Sequence, residues 1–217
     1  VGKKAKFTVT EMKRLSWSLP EDETAFTELN FIQQPRFTQK TKGLTAAERG
    51  SAIHIVLQHV NLRRSLDRES IQQQVLELVE KEILTPEQAV AIELEPIVNF
   101  FRGHLGQRLL QARDVYREVS FSLALPASQL YPELKEGREK VIVQGVIDCL
   151  ADEGDGFLLL DYKTDWLGLA LTRLEELSQR YQSQLRLYSQ AVETILKRPV
   201  REKYLYFLTH GIAKRID

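Results

Sequence analysis

Val141-Ile-Val-Gln-Gly-Val-Ile-Asp148-Cys-Leu-Ala151 and Phe157-Leu-Leu-Leu-Asp161-Tyr-Lys163-Thr-Asp165 are two apolar, strand-like runs joined by Asp152-Glu-Gly-Asp-Gly156. The Asp/Gly stretch is a strong hairpin signal. If Ala151 or Asp152 pairs with Phe157 or Leu158, the register brings Asp148 close to opposite Asp161. Side chains alternate along a strand, so Asp161 and Lys163 share a face. Two carboxylates facing each other among Val, Ile and Leu repel and are poorly hydrated. A divalent cation between them removes that conflict. Magnesium suits such a pair, because it prefers oxygen ligands and often binds through one or two carboxylates plus water and phosphate.

Working outward, 217 residues at 43% hydrophobic content suffice for one domain, or one domain with a helical insert. Charged residues make up 28% and the formal net charge is zero. That balance argues against a purely electrostatic nucleic-acid binder and leaves room for a local basic track. Cys149 is the only cysteine, which excludes an internal disulfide and a cysteine-rich metal site. It reads as a small core residue and fits a reducing cytoplasm. No apolar run approaches the roughly 18–20 residues that span a bilayer, and no signal peptide is visible. The chain begins at Val1 and its single methionine is Met12, so a piece of a longer protein is expected.

Residues 1–44 read as an N-terminal wrap, with a short helix capped by Thr10 and a loop from Pro20 to Gly43 carrying Arg36, Lys40 and Lys42. Thr45-Ala-Ala-Glu48 is a capping-box pattern. It opens a helix whose apolar stripe is Ala52, Ile53, Val56, Leu57 and Val60. Further helices are expected over Ser70–Leu84 and from Thr85-Pro86 to about Ala112, broken at Gly103 or Gly106. From Val115 to Leu123 the period shortens to that of a strand, placing Val115, Val119, Phe121 and Leu123 on one face. A long helix covers 171–197, Arg198-Pro199 ends it, and Lys203–Leu208 is read as the last strand. The expected architecture is α/β: a mixed sheet made of an antiparallel three-strand meander plus a crossover strand, flanked by helices. Residues 1–217 are taken as one domain, with a helical part over 45–112 and a catalytic sheet and long helix over 113–217.

Each candidate has a plainer reading. Asp148 or Asp161 alone is an ordinary turn or edge residue; the two together, both set in apolar runs, are harder to explain that way. Lys163 is either a strand-end lysine in a salt bridge or an ammonium beside the attacking water and phosphate, stabilising developing charge. Asp165 reads as a turn or helix-start residue. A single helical histidine such as His54 is more often a surface or core-edge residue than a ligand, and imidazole suits manganese better than magnesium. Gln184 and Tyr188, four apart, project from one helix face. Tyr181 fits a half-buried amphipathic stripe.

These stretches in order, Leu44-Thr-Ala-Ala-Glu-Arg49-Gly-Ser-Ala-Ile-His54, Gly145-Val-Ile-Asp148, Asp161-Tyr-Lys163 and Gln184-Leu-Arg-Leu-Tyr188, resemble the RecB-like branch of the PD-(D/E)XK nucleases. Within it, the resemblance is to the nuclease domains of bacterial AddAB-type helicase–nucleases and covers nearly the whole chain. It implies a restriction-endonuclease-like fold. It implies that His54, Asp148, Asp161 and the main-chain carbonyl of Tyr162 bind the metal, that Asp148, Asp161 and Lys163 are catalytic, and that Gln184 and Tyr188 belong to the nuclease site and DNA.

The implied activity is a Mg2+-dependent DNA exonuclease, with Mn2+ able to substitute, leaving 5′-phosphate and 3′-hydroxyl ends. It would act on single strands fed from an unwound duplex end, in double-strand break repair and recombination. The implied partner is a second, AddB-like subunit in a heterodimer in the bacterial cytoplasm, with no membrane. No Gly-x-x-x-x-Gly-Lys-[Ser/Thr] loop is present, so a helicase motor would lie elsewhere in a longer chain. Two alternatives stay open: a stand-alone RecB-like nuclease, and a non-catalytic DNA-clamping or subunit-docking domain.

Arg36, Lys40, Lys42 and Arg49 precede or open the His54 helix and read as a track for the DNA backbone. Neutralising all four should weaken DNA binding and lower its salt dependence by up to roughly one unit of log–log slope for each phosphate no longer held. An unchanged slope would identify the segment as packing or docking surface.

Overall fold

The computed structural model describes residues 4–15, 43–129, 131, 139–167 and 171–217. Arg36, Lys40 and Lys42, and nearly all of the expected 20–43 loop, lie outside them. The sheet has six strands. Its spine is the expected meander: β2 (Asp114–Pro126), β3 (Lys140–Asp152) and β4 (Phe157–Lys163), all antiparallel. The long helix α7 (Leu171–Leu196) then returns the chain to β5 (Val200–Phe207), which runs parallel to β4.

Two strands escape the sequence pattern. β1 (Lys6–Thr8) pairs parallel to β3, and β6 (Ile212–Arg215) pairs antiparallel to β5, so Lys203–Leu208 is not the last strand. Both are too short for periodicity to show. The helix α1 (Val9–Leu15) is capped by Thr8, not Thr10: the Glu11 amide donates to Thr8 Oγ1 at 3.2 Å, and the Thr8 amide donates to the Glu11 carboxylate at 2.9 Å. That reciprocal pair is a capping box two residues earlier than expected.

The helical part comprises α2 (Ala46–His59), α3 (Arg68–Glu80), α4 (Pro86–Ala91), α5 (Leu94–Arg102) and α6 (His104–Gln111). The Thr45–Glu48 box opens α2 as expected. The helical stretch from Pro86 breaks at Gly103, as expected, and also at Ile92–Glu93, where no glycine or proline marks it.

The sheet lies between two apolar layers. One face packs against the helical part through Cys149, Ala151, Leu158, Leu160 and Tyr162. The other packs against α7 through Leu150, Phe157, Leu159, Leu205 and Phe207. β4 and β5, covered on both faces, accordingly read as continuous apolar runs.

Along β2 and β3 the alternation changes layers. Val143 and Ile147 join the α7 layer, whereas Cys149 and Ala151 join the helical layer. Val119, Phe121 and Leu123 go with α7 while Val115 goes with the helical part, so the expected single face over 115–123 is broken. The change falls at one rung: Arg117 pairs with Cys149 and Val119 with Ile147, and the rung of Glu118 and Asp148 is skipped. Glu118 has φ +53°, a left-handed conformation unusual for a non-glycine residue.

β2 occupies one edge of β3 over its whole length. The other edge is shared by β1, at Ile142–Gln144, and β4, at Cys149–Asp152. Gly145–Asp148 therefore sit in a fork between two strands, and the fork is where the site forms.

The hairpin turn is fastened from outside. Asp152 is 5% exposed and receives two guanidinium bonds from Arg198, at 2.6 and 2.7 Å, and the Gly154 amide at 2.8 Å. Gly154 supplies the positive φ of 95°. Arg198 and the turn amide hold the Asp152 carboxyl well below its usual range. A carboxyl depressed on folding stabilises fully above its unfolded pKa, near 3.8, and that contribution fades as pH falls toward the folded value. Asp152→Asn should therefore cost stability at pH 7 and much less at pH 3, measured by denaturant melts at both. An equal loss at both values would mean that packing, not charge, matters there.

Candidate active site

α2 is clamped at both ends, and this places His54. At its start, a Cβ on Gly50 would lie 2.7 Å from Thr164 Oγ1, so only glycine lets the helix approach the exit of β4. At its end, the Arg117 guanidinium of β2 donates to the carbonyls of Leu57 and Val60 at 3.1 and 2.6 Å, taking up carbonyls that a helix terminus leaves unpaired. Between the clamps the His54 ring meets Tyr162 edge-on at 6.2 Å. His54 Nδ1 lies 3.7 Å from Asp148 Oδ2 and 4.0 Å from Glu118 Oε1.

His54, Asp148 and Glu118 thus converge, with ligand atoms all within 4.8 Å of one another. Glu118 is the member that the sequence does not reveal. No motif marks it, and its carboxylate turns inward only because the strand distorts at that residue. Burial raises the Glu118 pKa, partly offset by His54. Burial likewise pushes Asp148 up; His54 opposes the shift and the Asp161 charge adds to it. Crowded carboxylates that resist ionisation describe a place where a cation would be stabilised.

Asp148 lies one rung beyond the Cys149–Leu160 pair, at the level of Asp161. There the ladder gives way to a side-chain bond: the Tyr162 amide donates to Asp148 Oδ2 at 2.8 Å. Asp161 is 1% exposed and belongs to the α7 side of the cluster. Lys163 forms an ion pair with it, and Gln184 Nε2 donates to Asp161 Oδ1 at 3.1 Å and to the Tyr188 hydroxyl at 2.8 Å. The expected Gln184–Tyr188 face therefore points into the acidic cluster. Asp161 is not an uncompensated charge opposite Asp148, as the strand register alone implies, because Lys163 already answers it.

Tyr181 and Asp165 acquire a place that spacing did not reveal. The Lys163 ammonium sits 4.0 Å from the Tyr181 ring centre, and the Tyr181 hydroxyl donates to Asp165 at 3.1 Å. A cation over an aromatic face is attracted by the ring quadrupole. Burial lowers the Lys163 pKa, but the Asp161 charge outweighs it and the net shift is upward, so this lysine stays an ammonium. Arg49 is exposed and donates to the Leu44 carbonyl at 2.8 Å, which leaves the rest of its guanidinium toward solvent.

A mixed sheet between helices, a carboxylate pair across a hairpin and a lysine two residues beyond define a class. The sequence pattern of the PD-(D/E)XK nuclease superfamily matches residues 27–215, and the chain belongs to that superfamily. Its nearer likenesses are helicase–nucleases. The A subunit of the ATP-dependent helicase/nuclease of Pelotomaculum thermopropionicum is 48% identical over 224 residues, covering 100% of this chain and 18% of the relative. The proteins of the same name from Desulforamulus reducens and Bacillus cytotoxicus are 48% and 46% identical, over 95% and 94% of this chain and 17% of each relative. The chain thus spans under a fifth of the length of these curated relatives. The solved structure of SSO0001 aligns over 82% of this chain and 79% of its own at 15% identity and a TM-score of 0.32, too distant for comparison of the sites. Among the described residues no helix is long and apolar enough to cross a membrane.

The two aspartates should differ in stability. Asn at Asp148 keeps an acceptor for the Tyr162 amide and removes crowded charge, so Asp148→Asn should melt at or above the parent temperature without divalent ions. Asp161→Ala should melt lower, since it strands Lys163; the loss should stay below the roughly 3–5 kcal/mol of a fully orphaned buried charge, because Asp148 remains nearby. Both should lose the rise in melting temperature that Mn2+ gives the parent chain. A Mn2+-induced rise as large as the parent's in Asp148→Asn would remove Asp148 from the ligand set.

Proposed function

We propose that this chain is the metal-dependent DNA exonuclease domain of a bacterial helicase–nuclease, with residues 1–217 acting as one nuclease domain. The carrying observation is the meeting of His54, Asp148 and Glu118 on one side and Asp161, Lys163 and Gln184 on the other, at one fork in the sheet. The donor set suits a hard divalent ion. Three carboxylates against one ammonium leave two negative charges, the charge that one Mg2+ neutralises, and the imidazole is compatible with Mn2+ in its place. His54, Asp148, Asp161 and the Tyr162 carbonyl would hold the ion, with Glu118 as a further oxygen donor. When bound, the ion supplies Lewis acidity and makes water easier to deprotonate.

This chain's residues then do the positioning. Lys163 stays cationic, so it serves as a donor and charge stabiliser rather than as a base. Its ammonium, held between Asp161 and the Tyr181 ring, faces the place where negative charge develops on the phosphoryl oxygens. Gln184 orients Asp161, and Tyr188 backs Gln184. In-line attack by water forms one P–O bond and breaks the bond to the 3′-oxygen, leaving a 5′-phosphate and a 3′-hydroxyl. DNA contact by Gln184, Tyr188 and the basic segment Arg36, Lys40, Lys42 and Arg49 belongs to the same reading. The names of the relatives support the remainder: an ATP-driven motor elsewhere in a longer chain, a second AddB-like subunit, single strands delivered from an unwound end, and double-strand break repair and recombination in the bacterial cytoplasm.

The test is cleavage of 5′-labelled linear DNA by the purified chain with saturating Mg2+, with and without EDTA. Lys163→Arg keeps the charge but replaces a compact ammonium by a bulky planar fork, so it should lower the rate by roughly a hundredfold or more, in the range of a lost electrostatic stabiliser. If Lys163 makes only a surface ion pair, worth about 0–1 kcal/mol, the substitution will be nearly silent. Cleavage that survives EDTA, or a near-parental rate in Lys163→Arg, overturns the mechanism.

A further inference from the structure

Trp166 stands three residues past Lys163 and is 64% exposed, the more exposed of the two described aromatic side chains, with Tyr116, that lie open to solvent. A singly exposed apolar side chain is ordinary on any protein surface; Val90, at 89%, is one. Trp166 differs because the backbone that carries it is pinned on every side. Ahead of it, Asp165 receives the Tyr181 hydroxyl. Its own carbonyl accepts the Arg173 Nε of α7 at 2.9 Å. Behind it, Leu167 is buried at 4%. A loop held at three successive residues has every means to tuck its indole away, yet it presents that ring to water. Burying a side chain of this size contributes roughly 1.5–3 kcal/mol or more, and here that contribution is forgone.

The ring also has a backing. Lys163 pairs with Phe207 in the parallel β4–β5 register, so both strands end together. The 3-10 turn that follows β5, Leu208–His210, brings the His210 ring to 4.7 Å from the indole at an angle of 49°. An imidazole braces the indole from one direction. Asp161 and Lys163 lie at this same end of the sheet, where crevices of α/β sheets bind ligands.

We infer that Trp166 is a stacking platform for an unpaired nucleobase of the DNA strand, placed beside the reactive site to hold the nucleotide next to the scissile bond. The inference rests on the nuclease reading above. A braced, solvent-facing indole matches a flat aromatic partner, and every base offers a π-face whatever its sequence, so the contact suits an enzyme that must accept any strand. Bases inside a duplex are already stacked, so the platform selects single strands.

The chain contains two tryptophans, Trp17 and Trp166, so Trp17→Phe leaves Trp166 as the only indole reporter. In EDTA, which prevents cleavage, oligo(dT) should quench its fluorescence, whereas a strand of abasic sugar-phosphate units should bind with little quenching. By labelled-oligonucleotide titration, Trp166→Ala should weaken oligo(dT) binding roughly 5- to 100-fold, the range of one base–aromatic stack, and leave abasic-strand binding within about twofold. Trp166→Phe should fall between, and the quenching experiment needs no substitution of Trp166 at all. Equal quenching by both strands, or an equal loss of affinity for both in Trp166→Ala, overturns the stacking role. If the parent chain neither binds nor cleaves DNA, the nuclease reading fails instead; if it cleaves normally while Trp166→Ala binds oligo(dT) as the parent does, only the stacking inference fails.

Discussion

Asp161 is a carboxylate buried between two apolar layers, and the surrounding structure is arranged around keeping it charged. A buried anion is tolerable only when paired and hydrogen-bonded. Lys163 supplies the charge and Gln184 the hydrogen bond. The lysine is buried in turn, so it lies over the Tyr181 ring, and Tyr181 is tied to Asp165. Each step moves the electrostatic demand outward by one residue until it reaches a side chain nearer solvent. Such a chain is rigid because breaking any link exposes an unpaired charge to a poorly solvating interior.

The other half of the cluster is built differently. His54, Asp148 and Glu118 approach from a helix and two strands, and no described Lys or Arg side chain bonds to them directly. Their position depends on packing: the close approach of Gly50 to Thr164 and the Arg117 bonds at the far end of α2 fix His54 from both directions. Glu118 completes the group at the expense of a left-handed backbone, a distortion typically worth about 1–3 kcal/mol and found where surrounding structure enforces it. The site thus joins a self-compensated half with one that a divalent ion completes, which accords with the metal-dependent chemistry of the PD-(D/E)XK nucleases.

Fork and chemistry coincide for a geometric reason. A strand pair that ran on without interruption would satisfy every backbone group and leave no room for a ligand. Here β4 leaves β3 after Cys149, and the Asp148 carboxylate takes up the Tyr162 amide at that point. The same carboxylate ends the ladder and opens the site.

Much of this is legible in the sequence because it follows from local periodicity. The hairpin, its register, the shared face of Asp161 and Lys163, the Thr45 capping box, the long α7 and the shared face of Gln184 and Tyr188 all depend on spacing within one or two elements. β1 and β6 are not legible, being only a few residues long, and neither is the break at Ile92–Glu93, which carries no glycine or proline. Thr8 does not stand out as a cap because the strand before it is equally short. Within the site, Asp148, Asp161 and Lys163 stand out as polar residues in apolar runs, but His54 alone is indistinguishable from an ordinary helix residue. Glu118, Tyr181 and Trp166 have no distinguishing context at all. By itself the sequence determined which residues could share a strand or helix face, since those periods are properties of the backbone. Only the tertiary structure decided which faces meet: that Glu118 turns inward at a skipped rung, that Tyr181 lies under Lys163, and that a pinned loop leaves Trp166 in water. Those depend on contacts between residues tens of positions apart, whose energies no local pattern encodes.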